Sequence, residues 1–367
     1  AWQSCRERGR RGGCWRRCWR RGAERALSLN GRALLVRWEP LGEGAFSSVY
    51  ACCDASTGEP FAIKEMLCQS AEQLSAARAE VRIHRKVGRH PGLLPLIDAC
   101  ELEAGPRGAI IVALLMPLFT RGTLFDLLQR QAATSNAASV GLGGGSGSGG
   151  GGGSGGPMAE NSALRLFRSV CSAIHKLHAA GIAHRDLKPH NVLLSDHGDP
   201  CVMDFGSSCE IPIHVTSRKQ AVMLQDQAAQ LCSLPYRAPE LFDVGSKTTI
   251  DEKVDVWSLG CLLFAITYGR GFSPFECQWR GLLLEPCTVS MSAVINPIRM
   301  PPEVRMSYSD DFFALMEWAL TVEPRNRPGL PQLIDRIDEK WPELLYNNIN
   351  THNDDAGRNK SRRAEVV

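Results

Sequence analysis

The sequence predicts an α+β protein in two lobes, a small β-rich lobe carrying one long helix and a larger, mainly helical lobe. Three observations predict it. The chain has 367 residues, more than one hydrophobic core usually serves. From Leu34 onward short β-rich runs follow one another at 34–41, 48–53 and 60–66. Beyond residue 159 the apolar residues Leu164, Phe167, Val170, Cys171, Ile174 and Leu177 recur at helical spacing.

Composition narrows the class. The chain is 44% apolar and 22% charged, ordinary for a globular protein. Its net charge of +3 is uneven, because residues 1–25 hold nine Arg against Glu7 and Glu24, a surplus of seven that leaves the rest near −4. The body therefore has no nucleic-acid footprint. The segment 1–30 is a basic tail rich in Arg, Trp and Cys, and its residues 1–25 keep neither a helical nor a strand period. It is read as a disordered or mistranslated tail, a basic anchor for an anionic membrane surface, or an RNA-binding arm. Fourteen Cys without a C-x-x-C pair, in a chain too long to need disulfide staples, point to reduced intracellular thiols rather than zinc. The longest apolar run, 109–119, is too short to span a bilayer and reads as a buried strand.

Along the chain, the first β-run ends in Gly42-Glu43-Gly44-Ala45-Phe46-Ser47-Ser48-Val49, whose glycines let backbone N–H groups approach phosphates. A two-glycine hairpin would look the same. The polar residues 56–59 turn the chain into Phe61-Ala62-Ile63-Lys64, where one Lys sits in an apolar strand and needs an anionic partner. A helix over 70–87 supplies a candidate, Glu80, with Leu74, Ala77, Val81 and His84 along one side. A buried strand at 110–115 leads into Met116-Pro117-Leu118-Phe119. Residues 134–157 are dominated by Gly and Ser and are read as a mobile insertion between two helices, with no chemistry. A helix from Ala159 to about Ala180 ends at Gly181. Residues 345–367 form a polar tail.

The chemistry concentrates in Ala183-His184-Arg185-Asp186-Leu187-Lys188-Pro189-His190-Asn191. Asp186 can accept a hydroxyl proton, Lys188 can neutralise phosphate charge, and Asn191 can hold a divalent cation through its amide oxygen. A second strand, 200–203, runs into Asp204-Phe205-Gly206, a carboxylate followed by an aromatic plug and a hinge, which suits a Mg²⁺ ligand. Tyr236-Arg237-Ala238-Pro239-Glu240 and Asp255-Val256-Trp257-Ser258-Leu259-Gly260 follow.

In this order the motifs resemble those of protein kinases over about 34–341, split into lobes at about 34–116 and 120–341. The resemblance implies a bilobal kinase fold with ATP between the lobes and Mg²⁺ on Asn191 and Asp204. Asp186, Lys188, Asn191, Lys64 and Glu80 would carry catalysis. Residues Leu41, Gly42, Glu43, Gly44, Ala45, Phe46, Ser47, Ser48 and Val49, with Lys64, would hold the phosphates, and Met116, Pro117 and Phe119 would hold the adenine. Ser47 stands where the kinase pattern has its third Gly. Glu240 would pair with Arg327, and Asp255 would orient the catalytic loop. Lys188 marks transfer to Ser or Thr of protein substrates, supported by Ser233. Arg185 would pair with a phosphorylated residue of 207–233 after autophosphorylation.

The segments 213–221, 224–230 and 235–242 resemble the Numb-associated kinase family, in the branch whose members are myristoylated and palmitoylated. That implies a Ser/Thr kinase in the cytoplasm, on Golgi or vesicle membranes, with an extra helix at 220–230. Members of the branch begin Met-Gly and this sequence begins Ala-Trp-Gln, so the lipid anchor does not carry over. Cys14 and Cys18 beside Arg are acylation candidates. Membrane attachment is an expectation that recovery of all the full-length protein in the soluble fraction would end. A pseudokinase scaffold that binds nucleotide or partners without transfer is the rival reading. Oligomeric state and the role of 276–300, a docking surface or a divergent helical region, stay open.

Overall fold

In the computed structural model, residues 24–44, 46–104, 108–140, 158–296, 298 and 300–345 are described. They fall into two compact units. The first comprises 24–124 with Lys176–His184 and His190–Glu210, and the second comprises 125–175, 185–189 and 211–345.

The first unit is built on one antiparallel sheet. Its strands are β1 (Glu24–Leu29), β2 (Arg32–Glu43), β3 (Ser47–Asp54), β4 (Pro60–Cys68), β5 (Asp98–Ala104) and β6 (Ala109–Pro117), in the order β1-β2-β3-β4-β6-β5. The sheet curls, so Asn30 beside β1 donates its side-chain amide to Asp98 of β5 at 2.8 Å. Alternation along each strand feeds two cores. Leu29, Leu34, Val36, Cys52, Phe61, Ile63, Ala113 and Leu115 fill one face. Met66, Cys68, Val112, Leu114 and Met116 fill the other, against Ala77 and Val81 of the helix α1 (Ala71–Val87). Ser70 caps α1 by accepting from the Gln73 N–H, while the Gln73 side chain accepts from the Ser70 N–H at 3.2 Å, a reciprocal capping box.

Two strands correct the sequence reading. β1 removes residues 24–30 from the expected 1–30 tail and starts the sheet well before Leu34. Its signal was Asn30-Gly31, both at positive φ (47° and 85°), the pair that a two-residue hairpin turn favours. β5, with the sequence DACELEA, escapes notice because its acids suit an edge strand that keeps one side in water. Residues 176–184 and 190–210 belong to the first unit, in which Leu94 donates its N–H to the Val202 carbonyl and Leu194 donates to that of Gly122 (2.8 and 3.0 Å).

The second unit is mainly helical. Its larger helices are α2 (Leu124–Val140), most of α3 (Glu160–Ala179), α4 (Arg218–Leu231), α5 (Lys253–Thr267), α6 (Asp310–Ala319) and α7 (Leu330–Lys340). α2 runs through residue 140, so the insertion expected at 134–157 begins as helix, and its part at 141–157 lies outside the described residues. α4 is the helix expected over 220–230. α5 is buried on every side, and Gly260 lets it approach α6, since a Cβ there would lie 2.7 Å from Leu320. Instead of the divergent helix, residues 276–300 contain a β-hairpin, Cys277–Arg280 with Leu283–Pro286, turned at Gly281 (φ 60°), and one short helix, Met291–Val294. Cys277 to Arg280 read as neither period, which is why the hairpin was not legible. The described cysteines are all free thiols. Among the described residues no helix is long and apolar enough to cross a membrane.

Candidate active site

In the first unit the lone Lys of β4 finds its anion, and a second one. Lys64 Nζ donates to Glu80 Oε1 of α1 at 2.8 Å and to Asp204 Oδ1 at 3.0 Å. The lysine and Glu80 are largely buried, 13% and 4% exposed at the side chain. Burial by itself would lower the Lys64 pKa, but the two carboxylates outweigh it and hold the ammonium well above the usual lysine range. Burial works to raise the Asp204 carboxyl, yet the Lys64 charge and hydrogen bond, then His184 and the Gly206 N–H, bring it down to about 2. Glu80 moves up, because burial exceeds the opposing pull of Lys64.

Asp204 follows the short strand Pro200–Val202, which pairs with Val192–Leu194, the strand directly after Asn191. The Asn191 carbonyl accepts from the Met203 N–H at 3.0 Å, tying the two expected metal ligands to one hairpin. An amide oxygen and a carboxylate are hard donors that suit Mg²⁺, an ion that keeps waters and phosphate oxygens as its other ligands. The residues present fit it.

The Gly-rich segment is the β2–β3 hairpin. Leu41, Gly42 and Glu43 end β2, and Ser47, Ser48 and Val49 begin β3, in the register Gly42↔Val49 and Glu43↔Ser48. Gly44 donates to the Ser47 carbonyl at 2.7 Å to close the turn, with Phe46 exposed; Ala45 lies outside the described residues. A Cβ on Gly42 would meet nothing within 4 Å, so the backbone there borders open space of the kind a phosphate needs. β6 pairs with β4 in the register Ala62↔Met116 and Lys64↔Leu114, which puts Met116 on the Lys64 face of the sheet. Pro117 ends β6, and Phe119 packs against the core on that face.

In the second unit Lys188 Nζ donates to Asp186 Oδ2 at 2.8 Å and to Ser233 Oγ at 2.7 Å, while the Ser233 N–H donates to Asp186 Oδ1 at 2.9 Å. Both carboxylate oxygens of Asp186 are thus oriented. The residue before it, Arg185, has φ 68°, a left-handed conformation that costs a non-glycine about 1–2 kcal/mol. Asp255 at the start of α5 holds that strained backbone by accepting the Arg185 N–H at 2.7 Å. The Arg185 guanidinium donates to Gln227 of α4 at 3.2 Å. Arg327 meets Glu240 through both oxygens, at 2.7 and 3.0 Å.

The residues expected to act thus form two linked groups. Lys64, Glu80 and Asp204 meet directly, with Asn191 on the same hairpin as Asp204. Asp186 and Lys188 meet in the other unit, five residues or fewer upstream of Asn191 in the chain. The resemblance places Ser233 toward substrate, and its clamp on the catalytic pair is visible only in the fold, since nothing local to 233 announces a partner at 186.

The protein kinase domain family matches residues 35–337. The chain belongs to the protein kinase family. It is 36% identical to serine/threonine-protein kinase 16 of Homo sapiens over 313 residues, covering 85% of this chain and 92% of that protein. It is 29% identical to serine/threonine-protein kinase ppk13 of Schizosaccharomyces pombe, covering 81% of this chain and 88% of the relative. A probable serine/threonine-protein kinase of Dictyostelium discoideum is also 29% identical, over 86% of this chain. The kinase is accordingly a serine/threonine protein kinase with the bilobal fold of its family, acting on protein substrates, and the family in general uses ATP and Mg²⁺.

Proposed function

We propose that this kinase transfers the γ-phosphoryl group of ATP to a Ser or Thr hydroxyl, with the residues above in specific roles. The observation that carries the reading is the double hold on Lys64, which fixes an ammonium between a helix carboxylate and the carboxylate that would face the metal. Lys64 aligns the α- and β-phosphates, and Glu80 holds Lys64 in place for that task. Asp186 takes the hydroxyl proton, oriented by the Ser233 N–H, and Lys188 screens charge on the migrating group. Asn191 and Asp204 hold Mg²⁺, which when bound neutralises phosphate charge. The backbone of Gly42 and Gly44 covers the phosphates, and the Pro117 carbonyl and Phe119 N–H take the adenine edge beside Met116.

Glu80→Gln keeps the shape of the side chain and removes its charge. A hydrogen bond to a charged group contributes about 1.5–3 kcal/mol, so the affinity for a fluorescent ATP analogue should fall roughly 10–100-fold. An unchanged affinity would remove Lys64 from the nucleotide site.

The kinase also autophosphorylates within 207–233, on this reading, and the phosphate displaces Gln227 from Arg185, a stronger charge-assisted partner replacing a neutral amide. Mass spectrometry of protein incubated with ATP should find phosphate in that segment. Finding none would dismiss this part and leave transfer to other proteins untouched.

A further inference from the structure

The sheet of the first unit has a second face, turned away from α1, and near the Gly-rich hairpin that face holds a cavity of about 480 Å³. Tyr50, Leu67 and Ile111 line it with apolar surface, together with Phe46, which is 65% exposed, and Ser47 and Ser48 of the hairpin. The Phe46 carbonyl accepts from the Leu67 N–H at 3.1 Å, so the hairpin and β4 share this wall. The chemistry above makes no use of it.

The carboxylate in the wall is Glu65, whose side chain is 12% exposed. Arg25 Nη2 of β1 donates to Glu65 Oε2 at 2.5 Å, and the guanidinium lies 5.3 Å from the Tyr50 ring centroid and 5.9 Å from that of Trp38. Glu65 Oε1 is buried and has no hydrogen-bond partner among the described residues. A buried acceptor without a donor is costly, so a ligand that brings one is favoured. With the Arg25 charge already on the neighbouring oxygen, a second cation would be repelled at short range. A neutral N–H on an apolar body suits the place better. An indole has that form, a large ring with one Nε1–H donor and no acceptor.

The sequence holds an indole close by. β1 begins at Glu24, next to the Arg25 whose side chain reaches the cavity wall. Trp19 lies outside the described residues and precedes Glu24 by five positions, a span that reaches at most about 17 Å. Charge favours the approach as well. Arg16, Arg17, Arg20 and Arg21 flank Trp19, while β2 exposes Glu39 and also Glu43, which pairs with the cavity residue Ser48.

We propose that Trp19 docks in this cavity within its own chain, its indole N–H donating to Glu65 and its ring covering Leu67 and Ile111, and that the docked segment steadies the β2–β3 hairpin. The consequence for nucleotide affinity rests on the reading of that hairpin as the phosphate cover. The docking does not.

Cys18, next to Trp19, supplies the probe. In the full chain, Gln69→Cys puts a thiol on the cavity wall, and Arg82→Cys puts one on the exposed side of α1 as a control. A short bismaleimide should join Cys18 to position 69 about tenfold faster than to position 82, as mass spectrometry of the linked peptides reads it. Adding Trp19→Ala should bring the rate at 69 down to the control. Equal rates at 69 and 82, or a fast link that survives Trp19→Ala, would overturn the docking. Links between two chains, seen as a doubled mass, would give the cavity to a second copy and overturn it equally.

Hydrogen exchange of the 46–49 amides reads the hairpin. It should quicken in Trp19→Ala, and no change would reject the steadying. The KM for ATP of that variant should rise, roughly threefold, because a looser hairpin loses more entropy on closing over phosphates. Quickened exchange with an unchanged KM would uphold the docking and reject the hairpin as the phosphate cover.

Discussion

Replacing Asp186 by Asn should lower kcat about 10²–10⁴-fold, the usual contribution of a positioned general base. The substitution keeps the volume and one acceptor oxygen for the Ser233 N–H, which donates at 2.9 Å, so the local backbone has no reason to move. It removes the charge that accepts the Lys188 ammonium at 2.8 Å and the basicity needed to take a hydroxyl proton. The unfolding midpoint should therefore shift little while turnover collapses. Radiolabelled ATP with a generic protein substrate measures the ratio, and a loss of less than about tenfold would show that the proton goes elsewhere. Wild type without detectable transfer would favour a scaffold that binds nucleotide, with the fold unaffected.

The largest stability effect should come from Arg327. Its side chain is 0% exposed and every N–H of the guanidinium has an acceptor. Nε donates to the Thr321 carbonyl, Nη1 to Glu240 and the Lys253 carbonyl, and Nη2 to Glu240 and the Val322 carbonyl, at 2.7–3.0 Å. The guanidinium also lies over the Trp257 ring, 5.1 Å from its centroid. Arg327→Ala would leave Glu240 and three carbonyls without this donor, at a cost of about 3–5 kcal/mol. Arg327→Lys should recover little, because an ammonium cannot reproduce the planar fork. Denaturant unfolding should show the loss, and Glu240→Ala combined with Arg327→Ala should cost less than the sum of the single changes. A loss below about 1 kcal/mol would mean that the pair is solvated rather than structural.

Part of this site is legible from residue types alone. A single Lys in the apolar run before Met66 demands an anion, and Glu80 lies on the same side of the next helix as Leu74, Ala77 and Val81, so a pairing is suggested by local pattern and burial cost. The Glu240–Arg327 and Asp255–Arg185 contacts are legible only through the order of motifs, since neither residue signals its partner across such separations in sequence. β1 could have been read from Asn30-Gly31. β5 could not, because an edge strand tolerates the charges that make a run look like a loop. The hairpin at 277–286 is short, with neither strand long enough to show a period.

Sequence by itself determined which groups are present to do chemistry and in what order the chain delivers them, because acids, bases and glycine turns are properties of residues and their neighbours. Tertiary structure alone decided that Ser233 clamps Asp186 and Lys188, that Asp204 shares Lys64 with Glu80, and that a histidine rather than an aliphatic side chain packs on Phe205. These contacts join segments far apart in the chain, and no periodicity records them. They exist because burying the surrounding apolar surfaces leaves each polar group only the partners that the packing brings within reach.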